Sequence, residues 1–115
     1  MMLALIVDDK EENLYYLEIL LQAHGYRVES ARHGEEALVK ARQSQPDIVI
    51  SDLLMPVMDG HEFIKFLRSN PATASIPVVV LSGLLDISSI KGANAFLAKP
   101  FVMSPLLALV KTYCR

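Results

Sequence analysis

Cysteine is almost missing from this 115-residue sequence. Cys114 stands alone, so no internal disulfide can form, and a single thiol beside the last residue is read as inert rather than redox-active. An excess of positive charge is missing as well. Eleven Lys and Arg against 13 Asp and Glu give a formal net charge of -2, with no basic stripe to neutralise a phosphate backbone, so no direct binding to nucleic acid is expected. Long hydrophobic runs are also absent. The segment from Ile76 to Leu85 is broken by Pro77, Ser82 and Gly83 and falls short of the roughly 20 apolar residues a membrane span needs; no membrane association is expected. The apolar start, Met1 to Val7, has no cationic leader and runs straight into Asp8 and Asp9, so it reads as a strand rather than a secretory signal. No repeat, low-complexity tract or Pro/Gly/Ser linker divides the chain. The expectation is one cytoplasmic domain over residues 1–115 with no output domain, its 52% hydrophobic content being enough for a core without cross-links.

Short apolar runs recur at Leu3 to Val7, Arg27 to Ala31, Asp47 to Ser51, Pro77 to Ser82 and Ala95 to Ala98, and helical spacing fills the segments between them. From Glu11 to about His24, Leu14, Leu17 and Leu21 share one face with Leu20 at its edge, and Gly25 supplies a stop. A second helix, Glu35 to about Gln43, buries Ala37, Leu38 and Ala41. A third, His61 to Ser69, buries Phe63, Ile64 and Leu67. Ser104 and Pro105 offer an N-cap and a first-turn proline for a last helix reaching Tyr113. Strands this apolar, separated by helices, predict an α/β fold: a flavodoxin-like, doubly wound, five-stranded parallel sheet with helices on both faces.

Ligands of such sheets sit beyond the carboxyl ends of the strands, so the residues there carry the functional reading. Asp8 and Asp9 follow the first strand, Asp52 the third, Ser82 and Gly83 end the fourth, and Lys99 and Pro100 follow the fifth. Each alone is an ordinary turn, cap or surface residue; together they bring three carboxylates, a hydroxyl and an ammonium to one place. Three crowded carboxylates repel one another unless a cation sits among them. Mg²⁺, or Mn²⁺ in its place, suits such oxygen donors. A carboxylate beside the metal can attack a phosphoryl group to form an acyl phosphate, with Lys99 and Ser82 engaging the phosphoryl oxygens.

Ile6-Val7-Asp8-Asp9, the run from Asp52-Leu53-Leu54-Met55-Pro56 to Asp59-Gly60, and Phe96-Leu97-Ala98-Lys99-Pro100-Phe101 resemble the receiver domain of two-component response regulators, and the resemblance covers nearly the whole chain. It implies that Asp52 is the phosphoacceptor. It further implies that Asp9 is a direct Mg²⁺ ligand and Asp8 a water-mediated or supporting one, with Asp52 and the backbone carbonyl of Leu54 completing the protein's share. Ser82 and Phe96 resemble the switch hydroxyl and switch aromatic, Lys99 a phosphate partner, and Gly83 and Pro100 supporting residues. The implied role is phosphorelay signalling rather than enzyme catalysis of an external substrate. Its donor is a phosphohistidine on a sensor kinase or histidine phosphotransfer protein that docks on the first helix, where Tyr15 and Ile19 lie off the leucine stripe and form a candidate apolar patch.

The spacing between Ser82 and Lys99 is about five residues shorter than the family's usual one, more than a helical turn. The fourth helix, reduced to Asp86 to about Lys91, is therefore expected to be short, distorted or absent. The last helix carries Leu106, Leu107, Leu109 and Val110, too many for one face, and its surplus suits self-association or a downstream protein. Apolar Leu54 and Leu84, near Asp52 and Ser82, predict a slowly hydrolysed acyl phosphate. An FMN-binding module would need a hydroxyl- and glycine-rich loop after the first strand, where Asp8 to Asn13 is acidic instead. An aspartyl phosphatase would need an Asp-x-Asp motif there. A non-signalling structural or dimerisation receiver is the remaining alternative, disfavoured by the completeness of Asp8, Asp9, Asp52, Ser82 and Lys99.

Overall fold

The computed structural model describes residues 2–52, 60–82, 92–98 and 103–113. Along the chain run β1 (Leu3–Val7), α1 (Glu11–Ala23), β2 (Arg27–Ala31), α2 (Gly34–Ser44), β3 (Ile48–Asp52), α3 (Gly60–Ser69), β4 (Val78–Ser82), β5 (Ala95–Ala98) and α4 (Met103–Tyr113). All strand pairs are parallel and the sheet order is β2-β1-β3-β4-β5. The doubly wound α/β architecture expected from the sequence is present. Because the chain passes outward from β1 to β2 and then back across to β3, a crevice opens between β1 and β3 at their carboxyl ends.

Strands β1 and β3 are buried throughout, and alternate residues point into two separate cores. One holds Leu5, Val7, Val49, Val78 and Val80 against Ala37 and Ala41 of α2 and Phe63, Ile64 and Leu67 of α3. The other holds Ala4, Ile6, Ile48, Ile50, Val79 and Leu81 against Leu14, Leu17, Leu20 and Leu21 of α1 and Leu106 and Val110 of α4. The sheet is thus sandwiched by α2 and α3 on one side and by α1 and α4 on the other. Among the described side chains of α4, Leu106 and Val110 are fully buried, while Leu107 and Leu109 pack at the margin, as the surplus of apolar positions requires.

Element ends differ from the sequence expectations by one or two residues, for identifiable reasons. Asp47 lies outside β3 because its carboxylate accepts a hydrogen bond from Leu3 N at 2.8 Å while its own N–H donates to the Leu3 carbonyl. Pro77 precedes β4; it has no N–H for a ladder, though its carbonyl accepts from Val49 N. Asp52 is the last residue of β3 rather than a residue after it. Helix α2 begins at Gly34, where the His33 ring accepts from Glu36 N and the Glu36 carboxylate accepts in return from Arg32 N at 2.7 Å, a reciprocal cap. It ends past Gln43, with Gln45 in the left-handed region. Helix α4 begins at Met103, so Ser104 is not its N-cap; Pro105 still falls where no intrahelical N–H is needed. The expected shortening of the helix between β4 and β5, over Asp86 to Lys91, lies outside the described residues.

Opposite the reactive edge, Arg68 ties the N-terminal ends of β4 and β5 to α3. Its guanidinium donates to the carbonyls of Ala74, Ile76 and Gly92 and to Asn94 Oδ1, at 2.7 to 3.1 Å, and its partial burial lowers its pKa through desolvation. Asn94 Oδ1 also accepts from Val78 N at 2.8 Å, and the Asn94 carbonyl accepts from the Tyr113 hydroxyl at 3.0 Å. Arg68 and Asn94 therefore join α3, β4, β5 and α4, the link to α4 passing through the Asn94 backbone carbonyl.

Two glycines test how local geometry and packing combine. Gly25 ends α1 in a left-handed turn, with Gly25 N donating to Gln22 O and Tyr26 N to Leu21 O, and a Cβ there would meet nothing within 4 Å. Gly92 is also left-handed, but a Cβ would come within 2.8 Å of Ile64 Cγ2. Gly25→Ala is expected to cost about 1–2 kcal/mol from backbone strain alone. Gly92→Ala should add roughly 1–3 kcal/mol of overpacking to that, and urea denaturation of the two variants measures the difference.

Candidate functional site

The parallel register sets the site. Val7 pairs with Ser51, Asp52 with Leu81, and Ser82 with Ala98, so the backbone at Asp8, Asp52, Ser82 and Ala98 leaves the sheet at nearly one level. The carboxylates of Asp8, Asp9 and Asp52 each offer an oxygen within 4.8 Å of the others. Asp8 and Asp52 are 2% and 8% exposed, while Asp9 faces solvent. Two buried carboxylates with a third exposed beside them form a hard, all-oxygen donor set, which suits a divalent cation of the Mg²⁺ type.

Local structure fixes Asp8 from several directions. Its N–H donates to Ala31 O of the neighbouring strand at 3.1 Å. Its Oδ1 accepts from Lys10 N and its Oδ2 from Asn13 Nδ2, each at 3.0 Å. The first of these is an Asx turn that leads the chain from β1 into α1. Beneath Asp52, the Ser51 hydroxyl donates to the Asp52 carbonyl at 2.8 Å, tightening the end of β3.

The structure thus gathers Asp8, Asp9 and Asp52, and it places the Ser82 backbone at the end of β4. Phe96 lies in β5, partly buried against the core formed with α2 and α3. Leu54, Gly83, Leu84, Lys99 and Pro100 lie outside the described residues. Sequence reading missed Asn13. Its signal was an amide side chain in the first turn of α1, five residues after Asp8, in a loop otherwise read only for its charges.

On the outer face of α1, Tyr15, Tyr16 and Ile19 are exposed, at 69%, 48% and 50%. With Leu20, Ala23 and His24 they line an apolar hollow of about 320 Å³. Tyr15 and Ile19 thus stand in solvent rather than packing at the edge of the core, and Tyr16 enlarges the patch. A larger cleft of about 600 Å³ lies between α1 and the β2 edge, lined by Glu11, Glu12, Glu18, Arg32, Glu36 and Lys40 among others. Both its cations are engaged locally: Arg32 pairs with Glu11, and Lys40 Nζ donates to Ser30 O. The carboxylate cluster is therefore the better seat of chemistry.

Residues 4–111 match the family model of the response regulator receiver domain. The response regulator PleD of Caulobacter vibrioides is 39% identical over 116 aligned residues, 96% of this chain and 26% of PleD, so the chain spans about a quarter of that relative's length. The protein PilH of Pseudomonas aeruginosa is 33% identical over 112 residues, 92% of each chain. Among solved structures, the receiver domain of a sensor histidine kinase from Pseudomonas aeruginosa PAO1, with a magnesium ion coordinated in its active site cleft, superposes with a TM-score of 0.91 at 26% identity, covering 98% of this chain and 97% of that one. Among the described residues, no helix is long and apolar enough to cross a membrane.

Like-charge crowding has a measurable consequence. In EDTA, Asp9→Asn is expected to melt a few degrees higher than the unmodified chain because one of three mutually repelling charges is gone. Millimolar Mg²⁺ should raise the melting temperature of the unmodified chain, since it binds only the folded state, and should barely move that of Asp9→Asn. Differential scanning calorimetry in the two buffers checks both statements.

Proposed function

The chain belongs to the response regulator receiver domain family of two-component systems, and from that premise we propose that it takes part in phosphorelay signalling by accepting a phosphoryl group on Asp52. The observation that carries the proposal is the convergence of the Asp8, Asp9 and Asp52 carboxylates within 4.8 Å. Asp8, Asp9, Asp52 and the Leu54 carbonyl would hold Mg²⁺ or Mn²⁺, and the ion would supply charge compensation for the phosphoryl oxygens.

Asp52 supplies the nucleophile. One of its carboxylate oxygens forms a P–O bond while the P–N bond of the donor phosphohistidine breaks, the bonding pair staying on the imidazole nitrogen. Lys99 offsets charge on the transferred group and the Ser82 hydroxyl donates a hydrogen bond to it. Burial of Asp52 at the floor of the crevice limits the water that competes with the donor.

The donor is a sensor histidine kinase or histidine phosphotransfer protein, and the exposed Tyr15, Tyr16 and Ile19 on α1 offer it an apolar docking surface beside the crevice. Added charge at Asp52 draws Ser82 toward the phosphoryl group, and Phe96, only partly buried, turns inward behind it, altering the surface near β5 that a downstream partner reads.

Incubation with Mg²⁺ and a small-molecule phosphodonor, followed by intact-mass measurement, tests the proposal. A single phosphoryl adduct is expected, lost in Asp52→Asn and without metal. A folded chain that takes no adduct would favour a structural or dimerisation role for this receiver.

A further inference from the structure

The side chain that fixes Asp8 is the least expected part of the site. Asp8 is buried at 2% exposure, and each of its carboxylate oxygens accepts a hydrogen bond, Oδ1 from Lys10 N and Oδ2 from Asn13 Nδ2, both at 3.0 Å. Two donors on two different oxygens, one from the chain entering α1 and one from the third residue of that helix, leave the carboxylate plane no freedom to rotate. Asn13 is itself well anchored. It is half-buried, its backbone N–H donates to Lys10 O, and the next residue, Leu14, is buried in the core between α1 and the sheet.

This rigidity matters for ion choice. Mg²⁺ demands nearly ideal octahedral geometry at short distances, whereas Ca²⁺ accepts more ligands, longer distances and irregular arrangements. A carboxylate that cannot swing favours the first ion and denies the second the extra or bidentate contact it would otherwise recruit. We propose that Asn13 is a positioning residue that locks the Asp8 carboxylate and thereby makes the acidic cluster selective for Mg²⁺ over Ca²⁺. The inference rests on the metal-binding reading given above. Partners that orient metal ligands in other sites carry about 10- to 100-fold in affinity.

Isothermal titration of Mg²⁺ and Ca²⁺ into the unphosphorylated chain tests it, with Asn13→Leu and Asn13→Ala as variants and circular dichroism to establish that each is folded. The expected result is a rise of about tenfold in the Mg²⁺ dissociation constant with little change for Ca²⁺, so that selectivity falls. In an Asp8→Ala background, Asn13→Leu should then change Mg²⁺ affinity by less than about twofold, because its effect passes through Asp8. Unchanged Mg²⁺ affinity in the folded variants, an equal loss for both ions, or a full effect persisting without Asp8 would each overturn the role of Asn13. Failure of the unmodified chain to bind Mg²⁺ would overturn the metal-binding reading itself, and this inference with it.

Discussion

Like charges forced together at the edge of a closed hydrophobic sandwich are the constraint on which this molecule turns. Asp8 and Asp52 end adjacent strands whose preceding residues, Val7 and Ser51, are paired in register, and neither strand can slip. A shift of one residue would exchange the two faces of the sheet and move Leu5, Val7 and Val49 out of the core they share with α2 and α3. Hydrophobic burial therefore holds carboxylates at a separation that electrostatics alone would resist. On the proposed phosphorelay reading, a cation would relieve the repulsion, and a phosphoryl group arriving with its own negative charge would need that cation and the Lys99 ammonium to be accommodated. Structure and reactivity follow from the same register.

The two edges of the sheet have different tasks. At the N-terminal edge, Arg68 gathers carbonyls from the approaches to β4 and β5, Asn94 Oδ1 accepts from Val78 N, and the Tyr113 hydroxyl of α4 donates to the Asn94 carbonyl. This edge is fastened by side chains that reach across elements. At the carboxyl edge, the described contacts orient Asp8 and tighten the end of β3 beside the acidic cluster.

Much of this was legible in the sequence because the signals were redundant. Leucine spacing in α1, the apolar stripe of α3 and the apolar strands all pointed to one architecture, and the strand-end carboxylates followed from topology once the strands were placed. Less legible were contacts made by side chains whose type has many uses. Asp47 read as part of a strand, yet it caps the first N–H of β1. Arg68 lies in the last turn of a helix read only for its apolar face, yet its guanidinium reaches four acceptors on the segments that lead into β4 and β5. Asn13 carried no periodic or charge signal, and only the turn from β1 into α1 brings its amide onto Asp8. Such roles depend on long-range geometry that pattern does not encode.

Chemical trapping of the modified residue tests the central claim most directly. Borohydride reduces an acyl phosphate to an alcohol, so a phosphorylated chain treated with it and digested would carry its altered residue as a mass difference on one peptide. The account expects the change at Asp52 alone, converted to homoserine, and only when Mg²⁺ was present during phosphorylation. Reduction at Asp8 or Asp9, or phosphate retained on a residue that borohydride does not touch, would contradict it.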